Sequence, residues 1–181
     1  GEIKNSNSIP QTISHKLSKE QIINQAFQFH SQGNILGAAK LYQYFINQGL
    51  TDHRVFSNYG VILRALGKVK EAELLQRKAL ALNPTCANAY LNLGNVLSDL
   101  GKLKEAELSQ RKAIELNPDF SQAHLNLGAV LKDLGKLQEA EISIRKSIEL
   151  NPTLFNSHFL LGSILLGQNK LQEAELPLRK T

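Results

Sequence analysis

Apolar residues in this chain fall in pairs of helix-spaced stripes separated by short polar breaks. Between residues 87 and 120 the first stripe is Tyr90, Leu93, Gly94 and Leu97, and the second is Leu103, Ala106, Gln110 and Ala113. Spacing of i, i+3, i+4, i+7 gathers side chains on one face of an α-helix. Gly101 lies between the stripes and suits a helix C-cap, because glycine adopts positive φ without a steric penalty. Asn117-Pro118 ends the second stripe, since proline lacks an N–H and disfavours helix at the residue before it. The pattern predicts helix, short turn, helix, proline turn: an antiparallel αα-hairpin.

The hairpin repeats. Residues 121–154 overlay 87–120 without gaps, and 23 of the 34 positions are identical. The frame steps back to 53–86 and forward to 155–181, where the chain ends inside the unit. A more divergent unit, 19–52, keeps Ala26, Phe29, Gly33, Ala38 and Tyr42 in frame but has Leu50 where later units have proline. Stacked hairpins of this kind predict an all-α chain, an α-α superhelix of right-handed sense, with nine or ten helices and no strand. Gly60, Gly94, Gly128 and Gly162 recur in the first helices, and Ala72, Ala106, Ala140 and Ala174 in the second. Small residues at fixed positions mark where helix axes approach closely. Ser18-x-x-Gln21 has the form of a capping box that starts the repeats at residue 18. Residues 1–17, rich in Ser and Asn with Pro10, read as a mobile arm ahead of a repeat domain spanning 18–181.

The far end departs from the pattern. Pro177 falls inside the second stripe that opens at Leu171, and an interior proline costs a helix around 3 kcal/mol. The fifth unit is therefore expected to be the least stable. Its uncovered face suggests a segment of a longer protein or, alternatively, end-to-end self-association.

Composition narrows the function classes. The chain is 42% hydrophobic and 20% charged with a formal net charge of +5, a folding composition without a membrane-span-length apolar run. The single Cys86 can form no internal disulfide and agrees with a reducing, cytoplasmic compartment. His15, His30, His53, His124 and His158 show no metal-ligand spacing, and the last two occupy a packing slot of the repeat. No phosphate-cradling glycine loop occurs, so no metal and no cofactor is expected. The carboxylate pairs Glu71/Glu73, Glu105/Glu107, Glu139/Glu141 and Glu173/Glu175 recur in four successive units. Active sites are not normally copied four times, and no catalytic residue is assigned; the chain is read as no enzyme. Arg77, Arg111, Arg145 and Arg179 each follow a Glu by four residues, the favourable orientation for helix ion pairs of about 0.2–0.5 kcal/mol. A basic stripe neutralised in this way, without interleaved aromatics, argues against nucleic acid as partner.

A 34-residue helix pair with Leu93-Gly94, Leu127-Gly128 and Leu161-Gly162, the recurring alanines and Pro84, Pro118 and Pro152 resembles the tetratricopeptide repeat (TPR). The resemblance covers about residues 19–181, with His124 and His158 replacing the family's first-helix aromatic. It implies a scaffold whose first helices line a concave face that takes an extended peptide or a protein partner. The frame assigns to that face Asn24, Asn58, Asn92, Asn126, Arg54, Leu91, Asn95, Leu125 and Phe159, with Ile23, Val61 and Gln122 among their neighbours. The four asparagines share one frame position, broken at Leu160. An amide both donates and accepts and can pair with a peptide unit; O-GlcNAc transferase has a comparable ladder. The carboxylate clamp of TPR co-chaperones is not matched, since its lysine position holds Ile23, Ser57, Leu91, Leu125 or Phe159. Arrays of this style also precede the catalytic domains of O-GlcNAc transferase and of bacterial glycosyltransferases or sulfotransferases. The alternative function is thus the substrate-recognition arm of a larger enzyme.

Overall fold

The computed structural model describes residues 17–168. Among them are nine α-helices and no strand: α1 (Lys19–Ser31), α2 (Ile35–Asn47), α3 (His53–Ala65), α4 (Val69–Leu82), α5 (Ala87–Asp99), α6 (Leu103–Leu116), α7 (Ser121–Asp133), α8 (Leu137–Leu150) and α9 (Phe155–Gly167). The expected arm, Pro177, Leu171, the second helix of the fifth unit and the end-to-end contact fall outside the described residues. No helix among the described residues is long and apolar enough to cross a membrane.

Two compact units divide the chain, one through Thr51 and one from Asp52. In the first, α1 and α2 form a hairpin. Ser18 caps α1 reciprocally: Gln21 N donates to Ser18 Oγ at 3.2 Å, and Ser18 N donates to Gln21 Oε1 at 2.8 Å. The unit has no closing proline. Gly49, at φ 71°, stops α2 instead, a conformation that side chains with a Cβ rarely adopt. Ala26, Ala38, Tyr42 and Phe45 are fully enclosed, and Tyr42 meets Phe27 edge-on at 6.2 Å.

In the second unit, α3 pairs with α4, α5 with α6 and α7 with α8. Each second helix then packs on the first helix of the next repeat, and successive first helices α3, α5, α7 and α9 also touch. The turns are hydrogen-bonded closures. After α5, Gly101 (φ 71°) lets Lys102 N donate to Leu97 O and Gly101 N to Ser98 O, each at 2.9 Å, a Schellman arrangement. After α4 and α8 the Asn-Pro-Thr turns are tied by their asparagines. Asn83 Oδ1 accepts from Thr85 Oγ1 at 2.9 Å, and Asn151 Oδ1 from Thr153 Oγ1 at 2.8 Å.

The recurring glycines have a packing cause. A Cβ added at Gly60 would stand 2.5 Å from Gln76 Nε2; at Gly94 it would collide with Gln110 Nε2 and at Gly128 with Ile144. Each glycine thus admits a long second-helix side chain into the hairpin, offsetting the helix cost of about 1 kcal/mol. Another junction departs from the repeat. Ala79/Ala89 and Ala113/Ala123 are fully buried pairs, and the next pair is Ser147/Ser157, equally buried. Ser147 Oγ lies 2.9 Å from both Ser121 O and Ser157 Oγ.

Two residues expected on the first-helix face are core residues. Ile23 is sealed in the first unit. Leu125 is 6% exposed and belongs to the apolar cluster of Leu131, Ile144, Leu161 and Leu165, against which Leu160 of α9 also packs. A first helix stacked on the next one loses this side chain to the junction, so Leu125 leaves the set of contact residues.

Candidate functional site

Because α3, α5, α7 and α9 pack in succession, equivalent positions on them stand side by side. Asn58, Asn92 and Asn126 are half-buried on α3, α5 and α7, and Asn24 is exposed on α1 in the separate first unit. Asn92 and Asn126 already hold the stack together. Asn92 Nδ2 donates to Ser57 Oγ of α3 at 3.3 Å, and Asn126 Nδ2 donates to Asn95 Oδ1 of α5 at 2.7 Å.

Four amides form a connected chain at the α5–α7 junction, and its direction follows from one backbone carbonyl. Gln110 is wholly buried, and its amide lies 3.2 Å from Leu91 O and 3.1 Å from the Asn95 amide. A carbonyl only accepts, so Gln110 presents Nε2 there, and Asn95 must meet it with Oδ1. Asn126 then has to offer its nitrogen to Asn95 Oδ1, which turns Asn126 Oδ1 toward Gln122 Nε2 at 2.8 Å. Asn95 Oδ1 thus takes two donors, while the Asn95 nitrogen has no partner among the described residues. That nitrogen is not among the sealed, unpartnered polar atoms, which include Gln110 Oε1 and Gln76 Oε1.

The two arginines of α3 are paired. Arg54 is exposed but folds onto its own cap residue, with Nε to Asp52 Oδ1 at 3.0 Å and Nη2 to Oδ2 at 2.9 Å. Arg64 of α3 reaches Asp99 of α5 through Nε at 2.6 Å. Apolar contact is offered by exposed Val61 of α3, by half-buried Leu91 and, on α9, by Phe155 and Phe159, which are 55% and 57% exposed. Gln110 was visible in the sequence only as a glutamine inside an apolar stripe. Its frame partner is a glycine, and a long polar residue opposite a glycine was the available signal that it reaches across the hairpin.

Behind this face, the second helices carry ion-pair chains. The i,i+4 pairs Glu73–Arg77, Glu107–Arg111 and Glu141–Arg145 form, each at 2.9 Å; Glu175–Arg179 lies outside the described residues. The same groups also join neighbouring repeats. Glu73 takes Lys102 at 2.9 Å and Arg77 takes Glu105 at 2.9 Å; one repeat on, Glu107 takes Lys136 at 2.8 Å and Arg111 takes Glu139 at 2.6 Å. The hydrogen bond from Lys102 holds Glu73 below the usual carboxylate range, and that from Lys136 does the same for Glu107. His124 and His158 are half-buried, and the Nε2 of each donates to a proline carbonyl, Pro118 O at 2.9 Å and Pro152 O at 2.8 Å. Among the described residues no three His, Cys, Asp or Glu side chains are grouped to hold a metal.

Models of the tetratricopeptide repeat match residues 53–86, 87–120 and 110–142. No match is found among curated proteins. Solved structures that resemble the chain include MamA, at 21% identity over 90% of this chain and 88% of that one with a TM-score of 0.77. MamA 41-end from Desulfovibrio magneticus RS-1 gives 20% identity over 90% and 92% with a TM-score of 0.79. TTC0263, a thermophilic TPR protein of Thermus thermophilus, gives 21% identity over 90% and 89% with a TM-score of 0.73. At such identities the likeness speaks for the fold, which together with the matched repeats and their recurring frame assigns the chain: it is a tetratricopeptide-repeat protein.

Proposed function

We propose that the chain is an interaction scaffold that holds an extended segment of a protein partner across its first helices. The observation that carries this reading is the set of half-buried amides on α3, α5 and α7 that retain hydrogen-bonding capacity after their bonds to neighbouring helices. Asn58 has no side-chain partner among the described residues. Asn92 keeps its Oδ1 and one N–H, and Asn95 keeps its whole NH2 group. Such groups pair with the N–H and C=O of a backbone without demanding particular side chains. Leu91 and Phe159 supply the apolar contacts that most peptide sites need. Arg54 and Asn126 complete the set in this unit, and Asn24 is the corresponding exposed amide on α1 of the first unit.

Removing Asn92 or Asn126 also removes a bond between helices, so loss of binding there has two causes. Asn58→Ala separates them. Binding of unstructured peptides by fluorescence anisotropy is expected to weaken with folding stability unchanged, and unaltered binding of every peptide that binds the parent chain would falsify this use of the row.

A further inference from the structure

The amide chain at the α5–α7 junction has a fixed polarity, and that polarity selects a ligand atom. Building on the peptide-scaffold reading, we propose that Asn95 is a pre-oriented double donor that takes a neutral carbonyl oxygen of the bound segment. Gln110 is the positioning residue that sets it. Leu91 O fixes the Gln110 nitrogen, the Gln110 nitrogen fixes Asn95 Oδ1, and Asn126 Nδ2 closes on the same oxygen from α7. Both acceptor directions of Asn95 are therefore used inside the protein, and its NH2 group is left to face outward as a donor only. An amide free to rotate offers its oxygen as readily as its nitrogen; this one cannot flip without placing nitrogen against two nitrogens.

The acceptor is expected to be uncharged. The side chains bonded to Asn95 are Gln110 and Asn126. One helical turn to either side on α5 stand Leu91, Asn92 and Asp99; the Asp99 carboxylate already holds Arg64, and Lys132 of α7 follows Asn126 only six residues on. No side chain bonded to Asn95 or one turn from it on α5 is a cation, so a ligand carboxylate seated on its NH2 group would lose water without an adjacent counter-charge. A backbone carbonyl meets none of these objections. The equivalent positions Val61 and Ala129 have no amide, so the donor occurs at α5 alone among α3, α5 and α7.

The test uses the full chain labelled with 15N and two probes. One is a short glycine–serine peptide blocked at both ends; the other carries aspartate in place of serine. The neutral peptide is expected to shift the Asn95 side-chain NH2 resonances, and the acidic one to bind less well. Asn95→Asp keeps both acceptor bonds and removes the donors, so it should preserve folding stability while weakening the neutral peptide about five- to tenfold, as loss of one or two neutral hydrogen bonds implies. Gln110→Ile introduces the residue that Ile144 supplies, fully buried, one repeat later. It should keep the fold and weaken the same peptide, because the freed amide no longer favours donation. Neutral peptide bound with Asn95 silent, binding unchanged in Asn95→Asp, or acidic peptide bound as tightly as neutral would each overturn the assignment and leave the scaffold reading standing. Failure of every probe and every unstructured peptide to bind would overturn both.

Discussion

The serine pair between α8 and α9 offers a direct test of how this chain exchanges apolar for polar junctions. Ser121 O can only accept, so the single proton of Ser147 Oγ goes to it. Ser157 Oγ must then donate to Ser147 Oγ across 2.9 Å. Replacing Ser147 with Ala leaves the Ser157 hydroxyl without its acceptor at a site of 0% exposure, a loss of about 1–3 kcal/mol. Replacing Ser157 with Ala is milder, because Ser147 keeps Ser121 O and loses only an accepted bond, about 0.5–1 kcal/mol. The double variant restores the chemistry of Ala79/Ala89 and Ala113/Ala123, both fully buried in this same chain, and should lie within about 0.5 kcal/mol of the parent. Urea unfolding at constant m-value measures all four proteins, and the coupling expected is about 1–4 kcal/mol. Additive single changes, or a Ser147→Ala no more costly than Ser157→Ala, would refute the reasoning. The second result would mean that the orphaned hydroxyl turns to a carbonyl of its own helix.

Gly94→Ala should destabilise by about 1–3 kcal/mol despite the better helix propensity of alanine, since the new Cβ meets Gln110; a raised melting temperature would show that the contact yields cheaply. Glu107 has its folded pKa depressed by Lys136 and Arg111. Its contribution is therefore present above the unfolded value of about 4.3 and is lost as pH falls through the lower folded value. Urea midpoints should decline in that acid window and less so in Glu107→Gln; identical profiles would remove Glu107 from the account. Asn126→Ala should cost about 1 kcal/mol and Asn58→Ala under about 0.5 kcal/mol by the same assay, because only Asn126 bonds to a neighbouring helix; equal losses would contradict the role assigned to the inter-helix bond.

Helix positions were legible because each unit states them three ways: the stripe, the glycine turn and the Asn-Pro stop agree with one another. The divergent first hairpin was equally legible at its start, where Ser18 and Gln21 form the capping box, but its end was not, since Leu50 stands at the proline position and Gly49 at positive φ makes the stop. The face residues were harder. A frame position tells which side of the helix a residue occupies, not whether the next helix covers it, and Leu125 and Ile23 share their frame position with the exposed Phe159. Ion pairs along one helix followed from i,i+4 spacing. Those between repeats did not, because Glu73 meets Lys102 at a separation set by stacking rather than by helix pitch.

The polar and apolar junctions follow an order along the second unit. Between α3 and α5 the bridge is Asn92 to Ser57, and between α5 and α7 it is Asn126 to Asn95. Between α7 and α9 the same frame position holds Leu160, which packs on the cluster containing Leu125. The buried second-helix residue changes in parallel, from Gln76 and Gln110 to Ile144. The row of amides therefore runs one helix past the last polar hairpin interior, to Asn126 on α7 in the hairpin that encloses Ile144, and stops at α9. A segment lying across these helices would meet amides on α3, α5 and α7 and aromatic rings on α9. With helix axes about 8–10 Å apart, the three steps from α3 to α9 amount to roughly 24–30 Å, or about seven to nine residues of extended chain at 3.3 Å each. Such a ligand needs a plain backbone at one end and a bulky apolar side chain at the other. Phe159→Ala should then weaken only peptides that carry that side chain, while Asn95→Asp weakens all of them. Anisotropy titrations of both variants against peptides with and without a terminal leucine would show this, and parallel losses would mean that the two ends do not read different features.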